Sequence, residues 1–440
     1  MQDFPRRKFL ASCMALSALP LPVIALPRDL EAFALLKQRS QAQLVGRVHI
    51  LPATPDTTQW GWFDNAQAPV LSIQSRDTVV METMMAAANQ ILPGVSIEQI
   101  TKLRVDNPGR GPHTITGPIY VEGAQPGDVL KIRINRIVPR TYGANWNLPG
   151  ALKLGQFPDE FPEGQVRYFY FDLRRMTTQF SPDIEIPLRP FPGILGVARA
   201  EPGRYSTVPP GPFGGNMDIR ELTEGTTLFL PVFVEGALLW SGDSHAAQGN
   251  GEINLTAIET AFNELSLTVE VIKGQTLRWP RIETPDHWII AGMDRDLNKA
   301  LEIMKNEAID FLVQQRKITA AQAEKLLPSV ADVRIAEVVN QVKGVYARIS
   351  KRGEKVRLGA HPVRESQRNY VTTASSPDLQ KAMDEAASAM IGMLSEKRGL
   401  SRLDAYSLAS LTMDARVSAI GEDRKSVHCL VPKNLWHGAG

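Results

Sequence analysis

Short apolar runs separated by turn residues fill the chain from about residue 45 to residue 282. Residues 71–74 and 129–134 alternate between the two faces of an extended chain, and residues 228–234 form a wholly apolar run. A period of two is typical of half-buried strands, and a short apolar run between turns is typical of fully buried ones. Gly and Pro are concentrated between residues 105 and 255, where they favour turns over helices. The pattern predicts a β-rich body with a sandwich-like or barrel-like form.

The apolar pattern changes to a helical period after residue 283. Leu297, Leu301 and Met304 recur at a spacing of three to four residues, which is typical of one face of a helix. Thr319 and Gln322 form a capping box, the usual signature of a helix start. The predicted fold class is therefore α+β, with the mainly β body followed by an α/β part.

The α/β part contains an internal repeat. Residues 283–351 align with residues 365–433 without a gap, and the alignment places Asp296 on Asp378. We predict one strand–helix–helix–strand unit for each copy, joined by a linker at residues 352–364. A unit of roughly 70 residues buries little core by itself. We therefore expect the two copies to pack on each other.

Residues 1–27 read as an export signal. Arg6 and Arg7 precede a weak apolar stretch at residues 11–26 that two prolines interrupt. Paired arginines before such a stretch are typical of a twin-arginine signal, whereas a membrane helix needs about 20 apolar residues in succession. We predict export to the periplasm by the twin-arginine machinery, cleavage of residues 1–27, no stable membrane anchor, and a mature body at residues 28–282.

Composition excludes several other classes of protein. The 49 Lys and Arg nearly balance the 47 Asp and Glu, so the chain has no basic field for nucleic acid. With 43% hydrophobic and 22% charged residues, the chain is expected to fold. Loss of the signal would leave Cys429 as the single thiol, which excludes an intrachain disulfide.

Candidate metal ligands are concentrated in a glycine-rich segment. Asp243, His245 and Glu252 occur close together in the sequence, next to apolar strands. Residues two apart on an extended segment point to the same side, so Asp243 and His245 have a suitable spacing for two ligands of one metal. The alternative is a glycine-rich loop stabilised by its own Asp and His. We favour a site, because burying carboxylates and a His is costly unless they are paired or metal-bound.

A second group of polar residues lies further upstream. His113, Glu122 and Asp128 occur in one hairpin-like region, where an ordinary turn is as good an interpretation as a site. Aromatic residues offer a further choice, since they either line a pocket or belong to the core. The tryptophans concerned are Trp60, Trp62, Trp146 and Trp240.

Several separated motifs follow one another in a fixed order. They are Trp60-Gly-Trp-Phe63-Asp64, the 113–128 segment, Pro190-Phe-Pro-Gly193, Gly214-Gly-Asn-Met-Asp218, Gly242-Asp-Ser-His245 and Glu283-Thr-Pro-Asp-His287. In this order they resemble the acetamidase/formamidase family over about residues 45–352. The resemblance implies hydrolysis of a short linear amide, similar to formamide or acetamide, to a carboxylate and ammonia. It also implies a divalent metal, with zinc as the first choice, and we expect a homo-oligomer.

The resemblance assigns roles to individual residues. The expected metal ligands are Asp243, His245, His113 and Asp218; the expected catalytic residues are Glu252 and Asn250; the expected substrate-binding residues are Glu122, Asn216 and Gly215. In this interpretation Glu252 takes a proton from water and passes it to the leaving nitrogen.

Three features depart from the family pattern. Asn250 stands where the family usually has Asp, Phe213 stands where it usually has His, and the copy at 365–433 is additional. Because Asn carries no charge and cannot act as a base, a catalytically impaired periplasmic small-molecule-binding protein is one alternative. An amidase with a substrate larger than acetamide, whose entrance the second copy reshapes, is another.

Overall fold

A computed structural model describes residues 46–353, 365–421 and 423–437. The predicted signal at 1–27 and nearly all of the predicted linker lie outside these residues. Within the described ranges, no helix combines the length and the apolar character that crossing a bilayer requires.

The structure is mainly β with a few helices, which confirms the predicted fold class. The strands are β1 Val48–Leu51, β2 Thr58–Trp60, β3 Trp62–Asp64, β4 Leu71–Ile73, β5 Thr78–Met81, β6 Thr114–Val121, β7 Val129–Pro139, β8 Tyr142–Asn147, β9 Gln165–Asp172, β10 Thr177–Ser181, β11 Ile184–Pro187, β12 Phe191–Val197, β13 Arg204–Ser206, β14 Gly214–Asn216, β15 Thr227–Pro231, β16 Leu239–His245, β17 Glu259–Thr260, β18 Phe262–Ile272, β19 Arg281–Glu283, β20 His287–Asp294, β21 Ala331–Ile335, β22 Lys343–Ser350, β23 Asn369–Ser376, β24 Asp414–Ile420 and β25 Lys425–Pro432. The helices are α1 Ile97–Val105, α2 Leu297–Arg316, α3 Ala320–Val330, α4 Leu379–Arg398 and α5 Arg402–Thr412, with single helical turns at Ala86–Asn89, Gly150–Leu152 and Lys433–Leu435.

Two large sheets organise the described residues. One has 12 strands in the order β1-β5-β18-β7-β15-β19-β20-β22-β21-β24-β25-β23, and the other has 11 strands centred on β6, β12 and β16. Apolar residues of both sheets, such as Leu130 and Leu267 of the first and Ile194 and Leu239 of the second, are fully buried in one core. Strand β16 contributes to this core and carries two of the candidate metal ligands, Asp243 and His245.

The hairpin-like region predicted around residues 113–128 is not a hairpin. Strand β6 pairs with β16 in one sheet, whereas β7 pairs with β18 in the other, so the intervening turn crosses between the sheets. Glu122 is exposed on this turn. Asp128 accepts a hydrogen bond from the backbone N of Gln125 at 2.8 Å and forms an ion pair with Lys273. The sequence pattern identified both strands but carried no information about their partners.

The two copies have the same order of elements, and Leu379 at the start of α4 is equivalent to Leu297 at the start of α2. Each copy ends in a hairpin of two strands instead of the single strand that we predicted. Strands β21 and β24 pair antiparallel, with Arg334 opposite Arg416. The sequence alignment of the two copies also places these two positions on each other. Strand β19 spans the predicted boundary at residue 282, so the body and both copies share one sheet.

Candidate functional site

Strand β16 carries Asp243 and His245 into a buried cluster. The neighbouring strand β12 places Gly193 next to them, where an added Cβ atom would lie 2.6 Å from both Oδ1 of Asp218 and Cε1 of His245. A side chain at position 193 would therefore occupy the space of the cluster. On the other side, β17 pairs His245 with Glu259.

The polar atoms of the cluster lie close together without forming a closed hydrogen-bond network. Nε2 of His245 is 3.4 Å from Oδ2 of Asp243 and 3.3 Å from Oε1 of Glu259. Nδ1 of His245 is 3.7 Å from Oδ1 of Asp218, and Nε2 of His113 is 3.7 Å from Oδ2 of Asp243. Carboxylates therefore surround one imidazole, and a second imidazole lies beside one of them.

Two overlapping groups of three residues have the spacing of a metal site. Asp218, Asp243 and His245 each offer one ligand atom within 4.8 Å of the others, and so do His245, Glu252 and Glu259. All five residues are buried. Imidazole and carboxylate together form a donor set that suits a divalent transition metal.

Several of these buried atoms have no hydrogen-bond partner among the described residues. They include both ring nitrogens of His245 and Oδ1 of Asp218. Leaving a buried donor or acceptor unsatisfied costs about 1–3 kcal/mol, so an arrangement with three such atoms in contact is unfavourable without a ligand. A cation bound at this position would satisfy them, and the residues present therefore fit a metal.

The electrostatics of the cluster agree with this interpretation. Burial, with other carboxylates nearby, raises the pKa of Asp218 to about 8 and that of Glu259 to about 7, and it raises the pKa of Glu252 well above its ordinary value. For Asp243, burial is outweighed by the two histidines, and its pKa is lowered. Since buried carboxylates disfavour each other's charge, a divalent cation would relieve the repulsion.

The backbone at the cluster adopts an uncommon conformation. Asp218, Asp243 and Glu252 have φ angles of 48°, 49° and 49°, in the left-handed region that residues other than glycine seldom occupy. Such residues cost free energy and are found where the surrounding structure fixes them, often at functional sites. Three of them in one cluster strengthen its assignment as the functional site.

A cavity of about 920 Å³, including its open mouth, adjoins the cluster. The cluster residues on its wall are His113, Asp218, Asp243, Glu252 and Glu259. His113 also lies 3.0 Å, Nδ1 to Oγ1, from Thr207. Burial, assisted by the charge of Arg104, lowers the pKa of His113 and favours the neutral imidazole that metals bind.

A sequence profile of the Acetamidase/Formamidase family matches residues 55–204 and 199–436. The chain belongs to the Acetamidase/Formamidase family. The acetamidase of Mycolicibacterium smegmatis is 30% identical, in a match that covers 37% of this chain and 54% of that relative. The chain thus spans about half the length of this relative.

Solved structures of family members are similar over most of their own length. The acetamidase from Bacillus halodurans has a TM-score of 0.62 at 29% identity, with 68% of this chain and 97% of that chain covered. The acetamidase from Yersinia enterocolitica has a TM-score of 0.64 at 27% identity, with 72% of this chain and 98% of that chain covered. Each of these matches therefore leaves part of this chain without a counterpart.

Among the residues predicted from the family resemblance, the structure brings six together. These are His113, Asp218, Asp243, His245, Glu252 and Asn216. Asn216 lines the cavity and donates from Nδ2 to the backbone O of Val208 at 3.1 Å, while its buried Oδ1 has no partner among the described residues. Gly215 is adjacent but does not line the cavity, because it packs against the ring of Phe213.

Two predicted family site residues do not line the cavity. Glu122 is exposed on the turn between the sheets, as described above. Asn250 is buried, and its Nδ2 donates to the backbone O of Ile335 at 2.8 Å and to the hydroxyl of Tyr346 at 3.0 Å. These contacts hold the side chain of Asn250 away from the cavity. Phe213, the other departure from the family pattern, packs edge-on against Phe63 in the core.

Three residues at the site were missed in the sequence. Glu259 reaches His245 through strand pairing, and Glu337 accepts backbone hydrogen bonds at 2.9 Å from Val339 and Asn340. Asn340 in turn donates from Nδ2 to Oδ2 of Asp218. The signal that could have revealed the two glutamates is a single carboxylate inside an apolar run, since such a carboxylate is costly to bury without a function.

Proposed function

We propose that this protein hydrolyses a linear amide of the formamide or acetamide kind to a carboxylate and ammonia, with a divalent metal as cofactor and zinc as the first choice. One observation carries the proposal: the ring nitrogens of His245, which have no hydrogen-bond partner among the described residues, lie beside Asp218 and Asp243, and these two carboxylates line a cavity. Membership of the Acetamidase/Formamidase family and the likeness to a protein named acetamidase support it.

The metal would be held by Asp218, Asp243 and His245, with His113 as a further ligand. Hydrogen bonds around these residues orient them, because Asn340 donates to Asp218 and Thr207 contacts the second nitrogen of His113. A bound divalent ion lowers the pKa of a water molecule and polarises the amide carbonyl. Gly193 keeps the required space free of a side chain.

Glu252 moves the proton in this proposal. It takes a proton from the attacking water as the C–O bond forms, and it delivers that proton to the nitrogen as the C–N bond breaks. The products are a carboxylic acid and ammonia, which ionise in neutral water. The raised pKa of Glu252, caused by its burial beside other carboxylates, suits a group that must hold a proton between these two steps.

Asn216 would orient the substrate. Its Nδ2 is fixed by the backbone of Val208, so Oδ1 is held in place at the cavity wall. A primary amide carries two N–H donors, and a buried acceptor without a partner is the complementary group.

Two variants separate metal binding from proton transfer. His245→Ala should lose most of the bound metal, whereas Glu252→Gln should keep it and lose ammonia release about a hundredfold to ten-thousandfold. His287→Ala and Glu235→Gln are the matched controls, because both residues lie outside the cavity. Full metal content in His245→Ala would contradict the ligand assignment. Metal binding without ammonia release from any amide in the parent protein would contradict the enzymatic proposal and favour a binding protein.

We also propose that the protein is exported to the periplasm and forms a homo-oligomer. Support for export is confined to the sequence, where Arg6 and Arg7 precede the apolar stretch. Replacing both by Lys should retain the precursor in the cytoplasm, and unchanged delivery would contradict export. Light scattering of the purified protein should give a mass above that of one chain, and a single-chain mass would contradict the oligomer.

A further inference from the structure

The cavity beside the cluster has an extended apolar wall. Apolar side chains on this wall include Trp60, Ile91, Ile100, Trp146, Leu148 and Leu154. They belong to an apolar cluster separate from the two larger cores of the described residues. With its mouth and the adjoining open space included, the cavity has a volume of about 920 Å³.

Strand pairing places two tryptophans next to cluster residues. Trp60 of β2 is opposite Thr114 of β6, which directly follows His113. On the other side, Glu259 pairs with Ala144 of β8, and Trp146 lies two residues further along that strand. Since alternate residues of a strand share a face, Trp146 lies on the same face as Ala144, and both tryptophans line the same cavity as His113 and Glu259. An apolar group attached to the reacting carbonyl would therefore meet these rings.

The acyl group of acetamide has a single methyl group as its apolar part, which leaves most of this wall in contact with water. Each further methylene that becomes buried typically strengthens binding about fourfold. A larger apolar acyl group therefore gains far more from this cavity than a methyl group does. The unpartnered Oδ1 of Asn216 on the same wall matches the N–H donors of a primary amide.

We propose that the preferred substrate is a primary amide whose carbonyl carries a bulky apolar substituent, such as an aryl-containing or branched alkyl group. This inference rests on the proposed amide hydrolysis and adds the substrate class. Acetamide would occupy the same site, but it would use only the polar end of the cavity.

Helix α1 offers a position at which the cavity can be narrowed. Its capping box, formed by Ser96 and Gln99, fixes the start of the helix. Leu103 is half-buried and lines the cavity, whereas its neighbour Lys102 is exposed and does not. Leu154, also half-buried, lines the cavity from another segment. These residues provide two filling variants and one matched control.

The first test measures ammonia release by the unmodified protein from formamide, acetamide, isobutyramide and phenylacetamide. We expect kcat/KM for phenylacetamide to exceed that for acetamide at least 30-fold, from several buried carbons at about fourfold each. A kcat/KM that is highest for formamide or acetamide would overturn the inference and leave the proposed function intact. Absence of ammonia from all four amides would overturn the proposed function and the inference with it.

The second test fills the cavity. Leu103→Trp should lower the ratio of kcat/KM for phenylacetamide to that for acetamide at least tenfold, and Lys102→Trp should leave this ratio unchanged. Leu154→Trp should have the same effect as Leu103→Trp and replaces it if that variant does not fold. A ratio that neither folded filling variant changes would overturn the inference, because the apolar wall would then not contact the acyl group.

Discussion

The second helices of the two copies, α3 and α5, occupy equivalent places in the repeat but have different surroundings. Both have 11 residues. The three positions that differ most hold Glu324, Lys325 and Pro328 in α3, and Tyr406, Ser407 and Ser410 in α5. The three residues of α3 are exposed, and the three of α5 are buried. The same helix thus faces solvent in one copy and protein in the other.

The buried face of α5 packs on residues 246–256, which we call the catalytic loop after the role proposed for Glu252. The backbone O of Ser410 accepts a hydrogen bond from the backbone N of Gly249 at 2.8 Å. Its hydroxyl accepts one from the backbone N of Asn254 at 3.1 Å and donates to the backbone O of Thr256 at 3.2 Å. Tyr406 donates to the backbone O of Ile253 at 2.6 Å. These contacts fix the segment that contains Glu252.

The hairpins at the ends of the two copies also differ, but here it is the first copy that contacts the site. Residues 336–342 of the first copy bring Val339, Asn340 and Gln341 to the cavity wall, where Asn340 donates to Asp218. The corresponding turn of the second copy ends in Asp423 and Arg424, which are exposed. The first copy therefore supplies residues to the site, and the second copy supports the loop from behind. Two units with the same order of elements can thus serve different tasks, because their side chains differ.

The largest expected effect comes from the ion pairs of Asp414 that connect the two copies, which we call the joint. Asp414 is largely buried, and its carboxylate lies 3.0 Å from Arg220, 3.3 Å from Arg334 and 2.6 Å from Arg416. Asp414→Asn should lower the free energy of unfolding by about 3–5 kcal/mol, because buried guanidinium groups lose their counterion. Urea unfolding measures this, with the exposed Glu160→Gln as control. A loss below about 1 kcal/mol would show that the joint does not hold the copies together.

The pH dependence of this effect has a definite sign. Although burial alone would raise it, the pKa of Asp414 is lowered by Arg220, Arg334 and Arg416. A carboxylate with a lowered folded-state pKa contributes stability above its unfolded value of about 3.9, and the contribution is lost as the pH falls through the folded-state value. The difference between the parent and Asp414→Asn should therefore be largest near neutral pH and shrink below about pH 4.

The next effect tests whether the first copy serves the site. Asn340→Leu removes the donor to Asp218 and should weaken metal binding about 10- to 100-fold, as loss of a group that orients a ligand typically does. Arg424→Leu, in the equivalent hairpin of the second copy, should leave metal affinity unchanged. Competition with a chelating dye measures the metal affinity. Equal metal affinities of the two variants would show that the first hairpin contributes no more to the site than the second.

Support of the catalytic loop by α5 is expected to have a smaller effect. Ser410→Ala leaves the backbone N of Asn254 without its partner, which should cost about 1–3 kcal/mol of stability and lower kcat more than it raises KM. Ser329→Ala on α3 removes a hydroxyl that donates to Leu326 at 2.7 Å and touches no part of the catalytic loop. Thermal unfolding and steady-state kinetics compare the two. Identical kinetics would argue against support from α5.

The smallest effect is expected on the exposed face of α3. Replacing Glu324 by Tyr and Lys325 by Ser gives α3 the residues that α5 has at the aligned positions. In α3 these positions are exposed to solvent. Surface substitutions of this kind usually change stability by no more than about 0.5 kcal/mol, and activity should stay constant. A clear loss of activity would show that α3 also contacts something functional.

Local patterns made much of this architecture predictable. The capping box at Thr319 is confirmed, with the backbone N of Gln322 donating to its hydroxyl at 3.3 Å. Asp243 and His245 were predictable as a pair because residues two apart on a strand share a face. Asn340 could not be predicted, since a distant hairpin brings it to the site. For Glu259 the sequence signals a buried carboxylate, but its partner His245 follows only from the strand pairing. The role of Asn250 was obscured for the same reason, because its partner Ile335 is far away in the sequence.

In our proposal, the buried cluster holds a metal on which amide hydrolysis depends. The most direct measurement determines the metal content and the ammonia release of one purified sample before chelation, after chelation and after addition of zinc. We expect about one divalent ion per chain for one such site, loss of both ion and activity on chelation, and recovery of both with zinc. Undiminished ammonia release from the metal-free protein would contradict the account.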